Sequence, residues 1–270
     1  MSVNPTISTK ELEILAPALF TQEPHSDTSD KYHFIKTIDV IEEIKANNWY
    51  PVSVKVSNVR DEKKEGFQQH CVRFRHFEDL LNPKDNAVEL LLFNSHDRSK
   101  TFSISAGIFR FICANGLVLA DSVFETYKIK HLGERDNDVA NAVNQITAIK
   151  DKLMNKINTL SNIKLSQLEK ESFAKLSIPL RFEEHLEINH TDLLTPLRDE
   201  DYKDDLYTTL NVIQENLIRG NVGGINKETG RRFTSKEIKS ITTDTLVNKG
   251  IWDIAEKIAF IKEPNYQIAA

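Results

Sequence analysis

The pattern of apolar and polar positions changes character twice along the chain. From Thr37, Ile38, Ile41 and Ile44 recur at three-residue steps and predict a short helix ending near "ANNW". "PVSVKVSNV" then sets Val52, Val54 and Val56 against Ser53, Lys55 and Ser57, the two-residue period of a half-buried strand. In "QHCVRFRHF", His70, Val72, Phe74 and His76 share a face and Arg73 and Arg75 take the other, so the charged "RDEKKEG" between the two runs reads as a hairpin loop. "AVELLLFN" is apolar enough for a central strand, and alternation resumes in "RSKTFSISAG", which leaves "NSHD" in the connection between two strands. "AGIFRFICANG" fits a helix, because Ile108, Phe111 and Ile112 lie on one side and Asn115-Gly116 supplies a stop. "VFETYKIKH" reads as extended, with Tyr127, Ile129 and His131 opposite Lys128 and Lys130.

Beyond Asp138 the period becomes helical. Val139, Val143, Ile146, Ile149, Leu153, Ile157, Leu160 and Ile163 form a heptad-like stripe, which predicts one helix of about 40 Å. Such a stripe serves either as intramolecular core or as the seam of a homo-oligomer. Ser166-x-x-Glu169 opens a further helix that Pro179 closes. Leu206, Leu210, Ile213 and Leu217 mark another before Gly220. "NVGGINKETGRRFTSKE" reads as a flexible, locally basic loop, and Thr234-x-x-Glu237 as the box that reopens helix before "IWDIAEKIAFI". Upstream, Ser8-x-x-Glu11 predicts a short helix interrupted at Pro17. The expected fold is α+β, with a mainly antiparallel sheet in the N-terminal half and a helical C-terminal half containing one long helix. Residues 1–34 read as an arm and linker, 35–136 as the sheet-rich part, and 137–270 as helices packed on it within one continuous domain.

Composition narrows the class. A 270-residue chain with 40% hydrophobic residues can bury a sizeable core, yet no run nears the roughly 18 consecutive apolar residues of a membrane span. The start "MSVNPTISTKELEIL" lacks a signal pattern, so the expected location is the cytoplasm and no membrane partner is expected. The two cysteines, Cys71 and Cys113, are too few for a disulfide framework and read as reduced thiols. A net charge of -5 argues against indiscriminate binding to phosphates but permits a local basic groove.

His70, Asn94, Ser95, His96, Asp97, Arg110, Asn115 and His131 form the polar set worth testing for chemistry, since adjacent strands and the following helix would bring them to one sheet edge. His70, His96, Asp97 and His131 carry ligand types suited to a divalent metal, although no H-x-x-x-H or H-E-x-x-H spacing supports it. No cofactor is predicted beyond that metal option. Ser95, His96 and Asp97 name the members of a triad but cannot form one by adjacency. The phosphate-binding and nucleophile-elbow motifs are absent. The plain alternative for NSHD is an Asx-type turn in which Asn94 and Asp97 bond nearby backbone. Arg73, Arg75, Lys128, Lys130, Arg231 and Arg232 are the candidates for phosphate contacts, or else the solvated face of the sheet.

Taken in order, "GFQQHCVRF", "LLFNSHD", "GIFRFICANGL", "IKHLG", "QENLIRG" and "IWDIAEKI" resemble the motifs of domain of unknown function nine-three-two, over roughly residues 35–258. The matching positions are His70, Asn94, Ser95, His96, Asp97, Gly107, Phe109, Arg110, Cys113, Asn115, Gly116 and His131. The resemblance implies a protein of phages, prophages and plasmids, found among anti-restriction and recombination functions, with no settled activity. In that motif glycine commonly follows NSHD, where this chain has Arg98, which argues against a positive φ at this position or for a differently shaped hairpin. A weaker resemblance, in element order and the "NNW" tryptophan, is to the β-β-β-α core of Rad52-like single-strand annealing proteins. The leading expectation is a non-enzymatic mobile-element protein that binds single-stranded nucleic acid in annealing or recombination. The alternatives are an anti-defence or regulatory protein that binds a host defence protein, and a metal-dependent enzyme using the His/Asp cluster.

Overall fold

The strand-forming half of the chain folds as an antiparallel meander. A computed structural model describes residues 6–28, 32, 34–59, 61–110, 115–118, 127–128, 138–263 and 266. Helix α1 (Thr9–Leu15) opens on the expected capping box: Ser8 Oγ accepts from Glu11 N, and the Glu11 carboxylate accepts from Ser8 N at 2.8 Å. Pro17 begins a separate 3-10 turn, and Leu12, Ala16 and Leu19 are buried. Helix α2 (Thr37–Ala46) buries Val40, Ile41 and Ile44.

The strands are β1 (Trp49–Val56), β2 (His70–His76), β3 (Asn86–Asn94), β4 (Ser103–Arg110), β5 (Asn115–Val118) and β6 (Tyr127–Lys128); the short helix α3 (Phe77–Leu81) lies between β2 and β3. Their order is β1-β2-β3-β4-β5, with β6 also paired to β4. Register places His70 opposite Asn94, Val72 opposite Leu92 and Phe74 opposite Leu90. Leu90 and Leu92 in turn face Ala106 and Ile104. This apolar face is buried, and so are Leu91 and Phe93 on the other, which explains the unbroken apolar run of the central strand.

The exception in that run is Glu89, fully buried. Its Oε2 accepts from Arg73 Nε at 2.5 Å and its Oε1 from Arg75 Nε at 2.8 Å; the Arg75 guanidinium also lies 3.9 Å from the Phe109 ring centroid. A buried carboxylate is tolerable only with such charged partners, and two arginines on the neighbouring strand provide them.

Three local expectations are corrected. The helix expected over "AGIFRFICANG" is strand where described: β4 runs through Arg110 because Ile108 and Phe109 pair with Val88 and Ala87, and β5 begins at Asn115. Cross-strand pairing of β-branched and aromatic side chains prevails there over a helical spacing of only three residues. The β-β-β-α order behind the weaker resemblance is lost with that helix. "GGINKETGRRF" is an ordered hairpin, β8 (Gly223–Asn226) and β9 (Arg232–Thr234), joined to β7 (Leu186–Ile188) in a small antiparallel sheet. The Thr234 box opens no helix, because Thr234 is strand; the last helix starts at Ile241 on Ser240, whose Oγ accepts from Thr243 N.

The C-terminal half comprises α4 (Asp138–Asn162), α5 (Gln167–Ser177), α6 (Leu206–Arg219) and α7 (Ile241–Lys262) with the small sheet. Contacts divide the chain into one compact unit built from residues 1–116 with 124–151 and another built chiefly from 152–270, so α4 contributes to both. The stripe on α4 is core: Val139, Val143, Ile146, Leu153, Ile157, Leu160 and the following Ile163 are buried. Helix α6 is buried all round from Leu206 to Leu217, and its polar side chains are paired individually. Gln214 Nε2 donates to Asn248 Oδ1, Glu215 receives Arg198 through both oxygens at 2.7 and 2.5 Å, and Asn216 Nδ2 donates to the carbonyls of Leu193 and Thr195. "QENLIRG" is therefore a set of structural anchors. Among the described residues no helix is long and apolar enough to cross a membrane.

Candidate functional site

The end of the sheet where β2 and β3 meet carries a concentration of buried polar side chains. Thr37, His70, Asn94, Ser95 and His96 are each fully buried. Register alone places His70 beside Asn94, and α2 supplies Thr37 as its first residue. The Thr37 hydroxyl is the branch point. It lies 2.9 Å from His70 Nε2 and 3.3 Å from His96 Nε2, and it accepts from Asn94 Nδ2 at 3.0 Å. The two imidazole rings stand 5.3 Å apart between centroids, and the Phe34 ring packs 4.9 Å from His96.

The proton order follows from what each atom is able to do. His70 Nδ1 lies 3.0 Å from the Gln68 carbonyl, which only accepts, so Nδ1 carries a proton. Burial first, and the adjacent His96 second, push the His70 imidazole down to about 3, so it is neutral and its Nε2 is an acceptor. Thr37 therefore donates to His70. Having one proton, the hydroxyl must accept from both Asn94 and His96, which places the His96 proton on Nε2. The Asn94 amide is oriented independently, because its nitrogen also donates to the Ile35 carbonyl at 3.3 Å.

The loop beyond is held by backbone contacts. Ser95 Oγ accepts from Lys100 N at 2.9 Å and donates to Lys100 O at 3.1 Å, which closes the hairpin. His96 N donates to Phe67 O, His25 N donates to His96 O, and the Tyr32 hydroxyl donates to Ser95 O. The Tyr32 phenol is pushed up to about 12 by burial and then by the Asp97 charge. Asp97 Oδ1 accepts from Ser99 N at 2.9 Å, the Asx turn. Partial burial works to raise the Asp97 carboxyl, but hydrogen bonding led by Ser99 outweighs it and holds the carboxyl below its ordinary range. NSHD thus has two functions: Asn94 and His96 belong to the hub, whereas Ser95 and Asp97 shape the turn.

The structure brings together His70, Asn94, Ser95 and His96, with Asp97 at the rim. Arg110 lies elsewhere. It pairs with Asn86 at the opposite end of the sheet, eight residues from Asn94 along β3, about 27 Å at strand rise. Cys113, Lys130 and His131 fall outside the described residues, and for Asn115 and Lys128 only the backbone is described. Among the described residues no group of three or more His, Cys, Asp or Glu side chains is placed to hold a metal ion. The Ser95 hydroxyl engages Lys100 rather than a histidine, so these atoms do not form a triad. Of the basic candidates, Arg73 and Arg75 give their Nε donors to Glu89, while Arg231 and Arg232 are exposed on the β8–β9 hairpin.

Sequence reasoning missed Thr37, which reads locally as no more than the start of a helix; its role depends on strands more than 30 residues away. It also missed Glu89, although a single carboxylate inside "AVELLLFN", flanked by a strand with two arginines, was a usable signal.

The model of the Domain of unknown function (DUF932) family matches residues 24–252, and the chain belongs to this family. It is similar to two proteins of Escherichia coli (strain K12), UPF0380 protein YafZ and UPF0380 protein YfjQ. Each is 29% identical over 253 residues, covering 93% of this chain and 91% of the relative. No solved structure matches the chain.

Arg98, where the resembling motif commonly has glycine, adopts φ 65°. The hairpin therefore keeps the left-handed residue and this chain bears its strain, so Arg98→Gly is expected to raise stability by about 1 kcal/mol in urea unfolding. Thr37→Val removes the hydroxyl shared by three buried groups and should cost about 3 kcal/mol or more, whereas Thr37→Ser should cost about 1 kcal/mol; equal losses would show that the hydroxyl is not the hub. His70 is neutral in the fold but titrates near 6.5 when unfolded, so the unfolded chain binds the extra proton between those values. Stability should thus be intact above about 6.5 and fall as pH drops toward 3, by about 1.4 kcal/mol per pH unit for this group. His70→Gln should remove that slope from urea midpoints measured across the window.

Proposed function

For this member of the DUF932 family we propose nucleic-acid binding through the β8–β9 hairpin, in a protein of mobile genetic elements. The observation that carries it is the charge of that hairpin and its flank. Residues 227–239 hold five cations, Lys227, Arg231, Arg232, Lys236 and Lys239, against two carboxylates, in a chain whose total is -5. All five cations are exposed. The tip is preformed rather than floppy: Asn226 Oδ1 accepts from the amides of Glu228 and Thr229 at 3.0 Å, and Gly230 takes φ 67° to close the turn. A local cationic ridge on an acidic protein suits contact with a phosphate backbone without indiscriminate adhesion. The reading moves the contact surface away from Arg73 and Arg75, whose charge is engaged by Glu89. Recombination is the use suggested by the family resemblance, and a single-stranded substrate with annealing is part of the same proposal.

A protein partner is the second reading, favoured by apolar side chains left exposed on α5 and α7: Leu168, Leu176, Leu246, Phe260 and Ile261. A host defence protein or a second copy of the chain would be such a partner.

Titration of a labelled single-stranded oligonucleotide at about 50 and about 200 mM salt separates the readings. Binding should weaken steeply with salt, and the double variant Arg231→Ala/Arg232→Ala should flatten the logarithmic slope by about 1.4, the share of two phosphate contacts on a single strand. Absence of binding at the lower salt would remove the nucleic-acid reading.

A further inference from the structure

The sheet of the N-terminal half ends on one side in β1, and the bonds at the two ends of that strand show which main-chain groups face away from the sheet. Ser57 N donates to Gln69 O at 2.8 Å, and bonded pairs alternate along an antiparallel ladder, so Lys55 with Cys71 and Ser53 with Arg73 are the next bonded pairs. The N–H and C=O groups of Val54 and Val56 therefore point outward. At the other end Phe77 N donates to Asn48 O at 2.8 Å, which makes Tyr50 with Arg75 a bonded pair and turns the Pro51 carbonyl outward, where it accepts from Ile7 N at 2.7 Å. The register slips between Pro51 and Ser53, so a bulge separates this covered end from the rest of the edge. Among the described residues nothing bonds the outward groups of Val54 and Val56. The run is also apolar on its inner face: Val52, Val54 and Val56 are only half-buried, whereas Val72 and Leu92, in the same cross-strand row as Val54, are fully buried. An edge of this kind is a template for one more strand.

We propose that residues 52–56 pair with the same run of a second copy of the chain, antiparallel about a twofold axis at Val54, which joins the two sheets edge to edge. An added strand must set outward groups against outward groups, and a register centred on Val54 does so. Val54 faces the second copy's Val54 and exchanges both N–H···O=C bonds with it, and Val56 faces the second copy's Val52. The side chains agree with that register. Lys55 carries the one charge of the run and meets the hydroxyl of the second copy's Ser53 rather than another ammonium, while the half-buried valines of the two copies cover one another. Because the contact is isologous, each copy uses up its own edge and assembly stops at two. Ile7 and Pro51 close one end of the edge, which limits the paired strand to this short run. The inference is independent of the nucleic-acid reading, whose cations lie on and beside the β8–β9 hairpin.

The test is sedimentation velocity of the full chain from about 1 to about 200 μM, the range suited to a small, reversible interface. The unaltered chain should pass from monomer to dimer. Val54→Pro deletes an N–H that β2 does not use, at an edge position that accepts proline, so it should abolish the dimer and leave the urea midpoint of the monomer nearly unchanged. Two substitutions at the exposed Ser53 test the register without touching the core. Ser53→Glu sets a carboxylate against the second copy's Lys55 and Ser53→Lys sets an ammonium there. Each acts on two symmetric pairs, so the first should tighten and the second weaken the dimer by about 2- to 30-fold. These opposite shifts decide the matter if Val54→Pro proves unfolded. A monomer at every concentration, a dimer that persists in folded Val54→Pro, or two Ser53 variants that shift the same way overturns the pairing; the first of these leaves the edge to an extended segment of a different protein.

Discussion

A single hydroxyl with one proton, buried where three other polar side chains also end, sets the terms for one end of the sheet. Thr37 is bonded to His70, His96 and Asn94, and each of those groups would be costly to bury without a partner. Because a hydroxyl donates once, the network has one self-consistent proton order, with His70 neutral and His96 protonated on Nε2. That order ties α2 to β2, β3 and the loop after β3. The NSHD segment is fixed by the same need, since its buried backbone groups are taken up by Phe67, His25 and Tyr32.

The same rule recurs wherever polar atoms enter the core. Glu89 lies on the central strand between two arginines, and Gln214, Glu215 and Asn216 on α6 each have a separate partner. Motif-like residues in this chain are therefore not evidence of chemistry merely because they are polar. Many are the groups that a packed interior must satisfy, and they specify one arrangement of strands and helices rather than a reaction. Exposed cations lie elsewhere, on the β8–β9 hairpin and its flank.

Much of the fold was legible because periodicity is local. Val54, Val72 and Phe74 declared strands by alternation and Leu90 by an unbroken apolar run, the stripe from Val139 to Ile163 declared a long helix, and Ser8 and Ser166 declared helix starts through boxes complete within four residues. The reading failed at "AGIFRFICANG" and at "GGINKETGRRF", where a short segment fits two periods. Pairing with β3 decided the first, and pairing between β8 and β9, with the Phe233 ring over Gly224, decided the second. Of the candidate polar set, His70 with Asn94 was recoverable from strand register, but Thr37 was not. Arg110 was grouped with them wrongly for want of knowing that β4 continues to the far end of the sheet.

The sequence by itself determined the α+β class, the order of most elements, the central place of "AVELLLFN" and the family to which the chain belongs, because these depend on neighbours a few residues apart. Only the tertiary structure decided which polar residues are partners, that Arg98 keeps the left-handed turn, and that Arg73 and Arg75 serve Glu89. The physical reason is the range of the interactions. Hydrophobic periodicity is written along the chain, whereas hydrogen-bond saturation and charge pairing are settled between residues that only folding brings together.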